Sequence, residues 1–384
     1  MKVGILTYHE SYNYGAFLQA YSLCRRLNEE QDITAEIVNY NMPVSMRGYQ
    51  MKHWKTYKKI LRHNRYQFQK RLSESFVRNL EEKKEILSDK RVYSDSIETF
   101  RDMVKDKYDI IIAGSDEIWK LDGERGFPTP YWLPGDLGCL KCSYAASSRS
   151  DIKLLSEDKR QILQKLLLDF DLISVRDSLT LDLVKAAAPE KTARINCDPS
   201  FLYDLKIDKK LASDFLQRKL AEKKGIKKGQ NCKNVVLMCE DQTVTDRVLD
   251  QVKGTEVNVI SVYKYHKGCF NVPELTPTEW LLAIAGADMV ISSFFHGVCF
   301  SIMSHTPFYA VGTPKKRSKL EELLLGTNME SRYSTRESFC TGFTINKPDE
   351  ISSADFEEFV LAERAGFDEY LSELRQLWKE RKRH

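Results

Sequence analysis

The sequence predicts an α/β protein with two Rossmann-like domains facing a cleft and a long helix closing the chain, and three observations carry that prediction. Short apolar runs rich in Val and Ile alternate with stretches whose apolar residues recur at helical spacing, the pattern of a parallel sheet with helical crossovers. A charged, Gly/Lys-rich segment interrupts the alternation near the middle of the chain, after which it begins again. A polar group follows the last apolar residue of several runs, at the strand's carboxyl end, where open α/β sheets bind ligands.

Each element follows from its residues. KVGILTY (2–8) reads as a strand, HESYNYG as a loop, AFLQAYSLCRRL (16–27) as a helix and AEIVNYN (35–41) as a second strand, so the chain opens β-α-β. From about 43 to 84 a helical excursion interrupts the sheet. Within it, Lys52 to Arg71 holds eight Lys or Arg and no acid, interleaved with Trp54, Tyr57, Tyr66 and Phe68. YDIIIAGSDEIW (108–119), CSYAASS (142–148) and LISVRDS (172–178) resume the strands of an N-terminal domain spanning 1–205. Residues 206–233 are strongly charged and read as a linker. NVVLMCE (234–240), VNVISVY (257–263), ADMVISS (287–293) and PFYAVG (307–312) are strands of a second domain, 234–354, and residues 355–384 form one amphipathic helix.

Composition narrows the function. At 384 residues the chain exceeds what one core usually serves, and 42% hydrophobic residues exclude a disordered chain. No apolar run approaches the roughly 20 residues that cross a bilayer, and MKVGILTYHE reads as a strand rather than a signal peptide. A cytoplasmic protein is the expectation. The balance of 59 basic and 55 acidic residues gives no argument for nucleic acid. Nine cysteines, mostly in apolar segments, read as reduced thiols. Cys139 and Cys142 have C-x-x-C spacing but lack the second half of a zinc site, so no metal is expected.

The strand ends hold the candidate chemistry. Asn13, Tyr14 and Gly15 precede a helix and supply either a plain turn or a cap with backbone amides open to an anion. Asp116, after Gly114 and Ser115, is a helix cap or an acid that orients a hydroxyl. Arg176 either pairs with the adjacent Asp177 or grips a phosphate or carboxylate through its fork. His296 stands where Ser292 and Ser293 end a strand and a helix begins, either packed in the core or transferring protons near neutral pH. His9 occupies a similar strand end in the first half, His266 reads as exposed, and His305 reads as a helix end.

Taken in order, T-Y-H-E-S-Y-N-Y-G-A-F-L-Q-A-Y-S-L, Y-D-I-I-I-A-G-S-D-E-I-W, S-Y-A-A-S, I-S-V-R-D, C-D-P-S-F-L and A-D-M-V-I-S-S-F-F-H-G-V-C-F-S-I resemble the polysaccharide pyruvyl transferase family, over about residues 2–335. The resemblance implies a fold like that of the GT-B glycosyltransferases. It also implies phosphoenolpyruvate as co-substrate, with no other cofactor, and transfer of pyruvate as a ketal to a sugar of a cell-surface polysaccharide or its lipid-linked precursor. It makes His296 the general acid and Arg176 a donor ligand, and sets Asn13, Gly15, Gln19 and Asp116 at the cleft. Some members carry an arginine two residues before the histidine, where this chain has Phe294. A second branch carries Ser-Phe-His-Gly, which Ser293 to Gly297 approaches with an extra Phe; the donor's charge is then expected to meet Lys315, Lys316 and Arg317, and Arg317 and Arg332 resemble arginines of that branch. The basic Lys52 to Arg71 stretch would rest on an anionic membrane surface. Two other readings share these residues: a nucleotide-sugar glycosyltransferase of the same build, and a non-catalytic member of a polysaccharide assembly complex.

Overall fold

A computed structural model describes residues 1–46, 62–122, 124–229, 231–312, 317–344 and 351–383. Lys52 to Leu61, Lys315 and Lys316 lie outside these residues. The principal elements in chain order begin with β1 (Lys2–Leu6), α1 (Tyr14–Leu27), β2 (Thr34–Ile37), β3 (Tyr40–Asn41), α2 (His63–Glu82), β4 (Val92–Tyr93) and α3 (Ile97–Val104). They continue with β5 (Ile110–Gly114), β6 (Leu140–Tyr144), α4 (Glu157–Leu168), β7 (Ile173–Val175), α5 (Ser178–Ala187), β8 (Ala193–Ile195) and α6 (Lys209–Ala221). The second half holds β9 (Lys233–Met238), α7 (Gln242–Gln251), β10 (Val257–Ser261), β11 (Phe270–Asn271), α8 (Pro277–Ala285), β12 (Met289–Ser292) and α9 (Phe295–Met303). It ends with β13 (Phe308–Gly312), α10 (Arg317–Gly326), β14 (Tyr333–Thr335), α11 (Arg336–Gly342) and α12 (Ser353–Arg381).

The chain divides into two compact units, one of Met1–Gln50, Lys83–Asp204 and Val360–His384, the other of Met51–Glu82 and Leu205–Phe359. The first unit is built on a parallel sheet of order β2-β1-β5-β6, which isolated bridges between Cys142 and Leu172 and between Ala146 and Val175 extend towards the β7-β8 pair. The second carries a six-stranded parallel sheet of order β11-β10-β9-β12-β13-β14. In β5 every residue is buried, and in β12 every residue is buried, as expected of central parallel strands covered on both faces. Each sheet has a switch point where the strand order reverses, between β1 and β5 in the first and between β9 and β12 in the second.

Three expectations about organisation differ from what packing shows. The excursion belongs with the second unit, because Phe68, Leu72, Phe76 and Leu80 form a buried stripe on α2 and the helix meets that unit through Arg78 to Glu279, 2.6 Å, and Asn64 to Tyr265, 3.1 Å. The charged linker is ordered over α6, whose Ala212, Leu216 and Leu220 are buried. Gly286, after α8, allows this approach: a Cβ there would lie 2.3 Å from the Ala212 carbonyl oxygen. The short strands β8, β11 and β14 escaped a sequence reading because two or three residues show no period.

From Val360 on, the C-terminal helix belongs with the first unit. Phe367, Tyr370, Leu371 and Leu374 recur at helical spacing and are buried, with the rings of Phe367 and Tyr370 edge-on to Tyr144 at 5.2 and 5.0 Å. Its polar face is tied by Arg375 to Glu30 at 2.8 Å and Asp32 at 2.7 Å, and by Arg26 to Asp368 at 2.7 Å. The Tyr370 hydroxyl is buried with no hydrogen-bond partner among the described residues. Tyr370→Phe, which keeps the ring and removes an unsatisfied polar atom, is therefore expected to hold or raise stability. Tyr370→Ala should lower it by about 3–5 kcal/mol, as large-to-small aromatic truncations do, both read by equilibrium urea unfolding.

Candidate active site

His296 is placed by a close approach of backbone to strand. β12 runs through the centre of the second sheet and ends at Ser292, beside the switch point. Ser293 then donates its backbone N–H to the Met238 carbonyl at 2.9 Å, which closes the turn onto β9. Ser292 Oγ accepts from the Phe294 N–H and donates to the Phe294 carbonyl, each at 3.0 Å, so this serine serves the turn. α9 starts at Phe295, with His296 its second residue and 7% exposed. Gly297 is required here: a Cβ would lie 2.3 Å from Ser292 Oγ and 3.1 Å from Met238 Sδ. The helix thus begins pressed onto the strand end, with its positive N-terminal pole at the sheet's ligand edge.

Phe294, standing where an arginine was considered, is half-buried and edge-on to Tyr263 with ring centroids 4.5 Å apart. As the N-cap of α9 it supplies no side-chain hydrogen bond. Arg332 is buried with its guanidinium 5.1 Å from the ring centroid of Phe308, the first residue of β13. Arg317 is the first residue of α10. His266, read as exposed, is 2% exposed: its Nε2 meets the Cys239 carbonyl at 2.9 Å and its Nδ1 meets Thr245 Oγ1 at 3.1 Å, and burial pushes its pKa below the ordinary value. The Cys239 carbonyl and Thr245 hydroxyl that hold it come from segments more than twenty residues away, so local sequence gave no sign of them.

At the switch point of the first sheet the predicted residues are held by a buried polar network. Arg176, directly after β7, donates from Nη1 to Asp198 Oδ2 at 2.8 Å, with both side chains out of solvent. Ser115 Oγ donates to the same carboxylate oxygen at 3.0 Å, while Ser200 supplies its N–H at 3.0 Å and its Oγ at 2.6 Å to Oδ1. Burial alone would lower the Arg176 pKa, but Asp198, Asp116 and Asp177 outweigh it and raise the value. Arg176 is therefore an internal ion-pair partner, and its pair is Asp198 rather than the adjacent Asp177, which caps α5 and accepts from Ser147 at 2.6 Å. Asp198 is the residue that sequence reasoning passed over; the C-D-P-S-F-L block that contains it was its only signal.

Gln19 is fully buried and turned inward, donating to Thr7 Oγ1 at 3.1 Å, and Thr7 donates on to the Ser115 carbonyl at 3.0 Å. Asn13 caps α1, accepting from Gly15 at 3.2 Å and Ala16 at 3.4 Å. Asp116 is half-buried at the end of β5 with a left-handed φ of 66°, its Oδ1 accepting from the Glu117 N–H at 2.8 Å. A non-glycine residue held there stores strain of the kind found at functional sites. His9 is buried between the Thr7 carbonyl and Asn39, and burial lowers its pKa. Cys139 and Cys142 are both buried, which pushes the Cys139 thiol up to about 12.

Two parallel α/β sheets with polar groups at their carboxyl switch points define a GT-B-like fold. The chain matches the family model of polysaccharide pyruvyl transferase over residues 13–314 and belongs to that family, which makes it a transferase of polysaccharide biosynthesis. None of the curated proteins matches it. Among solved structures, UDP-GlcNAc 2-epimerase from Methanocaldococcus jannaschii aligns with a TM-score of 0.51 at 10% identity, over 94% of this chain and 99% of that one. The glycosyltransferase SnogD from Streptomyces nogalater aligns with a TM-score of 0.44 at 9% identity, over 98% and 99%. At 10% identity the likeness to the epimerase is one of fold alone. No helix among the described residues is long and apolar enough to cross a membrane.

Removing either partner of the Arg176–Asp198 pair leaves a buried charge uncompensated. Arg176→Ala and Asp198→Ala are each expected to cost about 3–5 kcal/mol. The double variant should cost less than the sum of the two, measured as a double-mutant cycle by chemical denaturation.

Proposed function

We propose that this chain transfers pyruvate from phosphoenolpyruvate to a sugar acceptor as a ketal, with His296 as the proton-transferring group. The observation that carries the reading is the placement of His296 at the junction of β12 and α9, at the switch point of the second sheet, where Gly297 lets the helix start against the strand. A histidine suits this task because its proton is exchangeable near neutral pH.

The chemistry balances with one such group. The His296 imidazolium gives its proton to the methylene carbon of phosphoenolpyruvate, which becomes a methyl group. An acceptor hydroxyl adds to the neighbouring carbon, and its proton returns to the imidazole. The second hydroxyl then displaces phosphate from that carbon and loses its proton to the departing anion, closing the ketal. The developing positive charge on the ketal carbon makes the donor's carboxylate and phosphate the groups to be held. The N-terminal pole of α9 favours an anion beside His296. In sequence, Lys315, Lys316 and Arg317 come shortly after β13, the strand beside β12, and this reading assigns to them the donor's charge that Phe294 cannot meet. Arg176, engaged with Asp198, positions the strand ends of the first sheet.

With phosphoenolpyruvate and a competent acceptor, His296→Ala and His296→Gln are expected to slow phosphate release by about 10²- to 10⁴-fold. Release at the wild-type rate would remove the assignment. Phosphoenolpyruvate should raise the melting temperature of the wild type and uridine nucleotides should not; the reverse pattern would make the chain a nucleotide-sugar glycosyltransferase, and no shift with either a non-catalytic member. The same reading sets the basic Lys52 to Arg71 stretch on an anionic membrane surface, with Arg62, Arg65, Lys70 and Arg71 exposed among the described residues. Sedimentation with phosphatidylserine-containing vesicles should be lost when Lys55, Lys58, Lys59 and Arg62 are changed together to Glu, and retention of binding would end that part of the proposal.

A further inference from the structure

The loop between β5 and β6 presents a cation that no other part of the described chain neutralises. Arg125 is half-buried, with its guanidinium 4.8 Å from the ring centroid of Tyr8. Tyr8 lies two residues beyond β1, at the switch point of the first sheet, and is itself edge-on to Tyr131 at 4.9 Å. No carboxylate among the described residues pairs with Arg125. Of the acids near it in sequence, Glu117 pairs with Arg149 at 3.0 Å, Asp116 accepts from the Glu117 N–H at 2.8 Å, Asp122 accepts from Ser150 at 3.2 Å, and the adjacent Glu124 is exposed to solvent. Burial lowers the Arg125 pKa, and Tyr131 alone offsets part of that effect. Elsewhere in the same unit the buried arginine, Arg176, has its aspartate.

The loop holds this guanidinium in place. Leu121 donates its N–H to Ser150 Oγ at 2.9 Å on one side. On the other, Trp119 donates from Nε1 to the Tyr131 carbonyl at 3.2 Å and stacks on Trp132 at 4.8 Å, while Phe127 packs edge-on to Trp132 at 5.6 Å. A partly desolvated arginine costs free energy unless something compensates it, and stacking on one tyrosine offsets only part of that cost. Its fork remains suited to a planar or tetrahedral oxyanion.

We propose that Arg125, stacked on Tyr8, is a subsite for an oxyanion of the sugar acceptor, a phosphoryl or carboxylate group carried by the sugar that receives pyruvate. This rests on the pyruvyl-transfer reading for the word acceptor, and it assigns recognition of an acidic or phosphorylated sugar to a residue of the first unit.

Isothermal titration calorimetry of the full chain with a hexose 1-phosphate, a hexuronic acid, the neutral hexose and phosphoenolpyruvate tests it. At least one charged sugar is expected to bind more tightly than the neutral one. Arg125→Gln should weaken that binding by about ten- to a hundredfold, the value of a charge-assisted hydrogen bond, and Arg125→Lys by less. Phosphoenolpyruvate affinity and the melting temperature should stay at their wild-type values. Should Arg125→Gln prove poorly folded, Arg125→Lys and Tyr8→Leu carry the same comparison. Equal binding of charged sugars by wild type and variants, or no binding by wild type, overturns the proposal, as does an equal loss of phosphoenolpyruvate affinity, which would assign the oxyanion to the donor. If phosphoenolpyruvate binds no form while Arg125-dependent sugar binding stands, it is the donor reading that fails and not this subsite.

Discussion

The ligand edge of the first sheet hangs on one buried ion pair. Arg176 and Asp198 come from positions 22 residues apart, yet the Asp198 carboxylate collects the guanidinium, the Ser115 hydroxyl and two donors of Ser200. Through Ser115 and Thr7 the network reaches Gln19 on α1, so the ends of β1, β5 and β7 are tied to one another out of water. Such a pair need not add net stability over an apolar substitute, because desolvating two charges is expensive. Its effect is geometric: with one member present, every partner has a single low-energy place.

The second sheet fixes its strand-to-helix junction by close packing. There the strand-to-helix junction is held by backbone contact, and the residue that permits it is Gly297, pressed against Ser292 and Met238. His296 follows as the neighbour of a position that tolerates no side chain. The two units therefore reach similar edges by different physics, a satisfied polar network in one and steric closeness in the other.

The roles of the polar residues sorted themselves by partner. Asn13, Ser292 and Arg176 sit near predicted strand ends and Gln19 on the helix after the first, and each makes hydrogen bonds to the protein itself. Residue type and position along the chain do not tell such groups from ones left without a protein partner. What separates them is whether a complementary group arrives from a distant segment, as Asp198 does for Arg176 and as none does for Arg125 among the described residues.

The sequence by itself determined the α/β class, the parallel sheets, the restart of the pattern in the second half, the junction at His296 and the family, because apolar periodicity and short ordered motifs are local properties. Tertiary structure alone decided that α2 packs with the second unit and α12 with the first, that the charged stretch after residue 206 is a packed helix, and that His266 is buried. It also decided which cations are neutralised. The reason is common to all of these: a helix face or a charged side chain shows in sequence what it needs, but its partner comes from a segment far along the chain, and only the folded chain brings the two within contact distance.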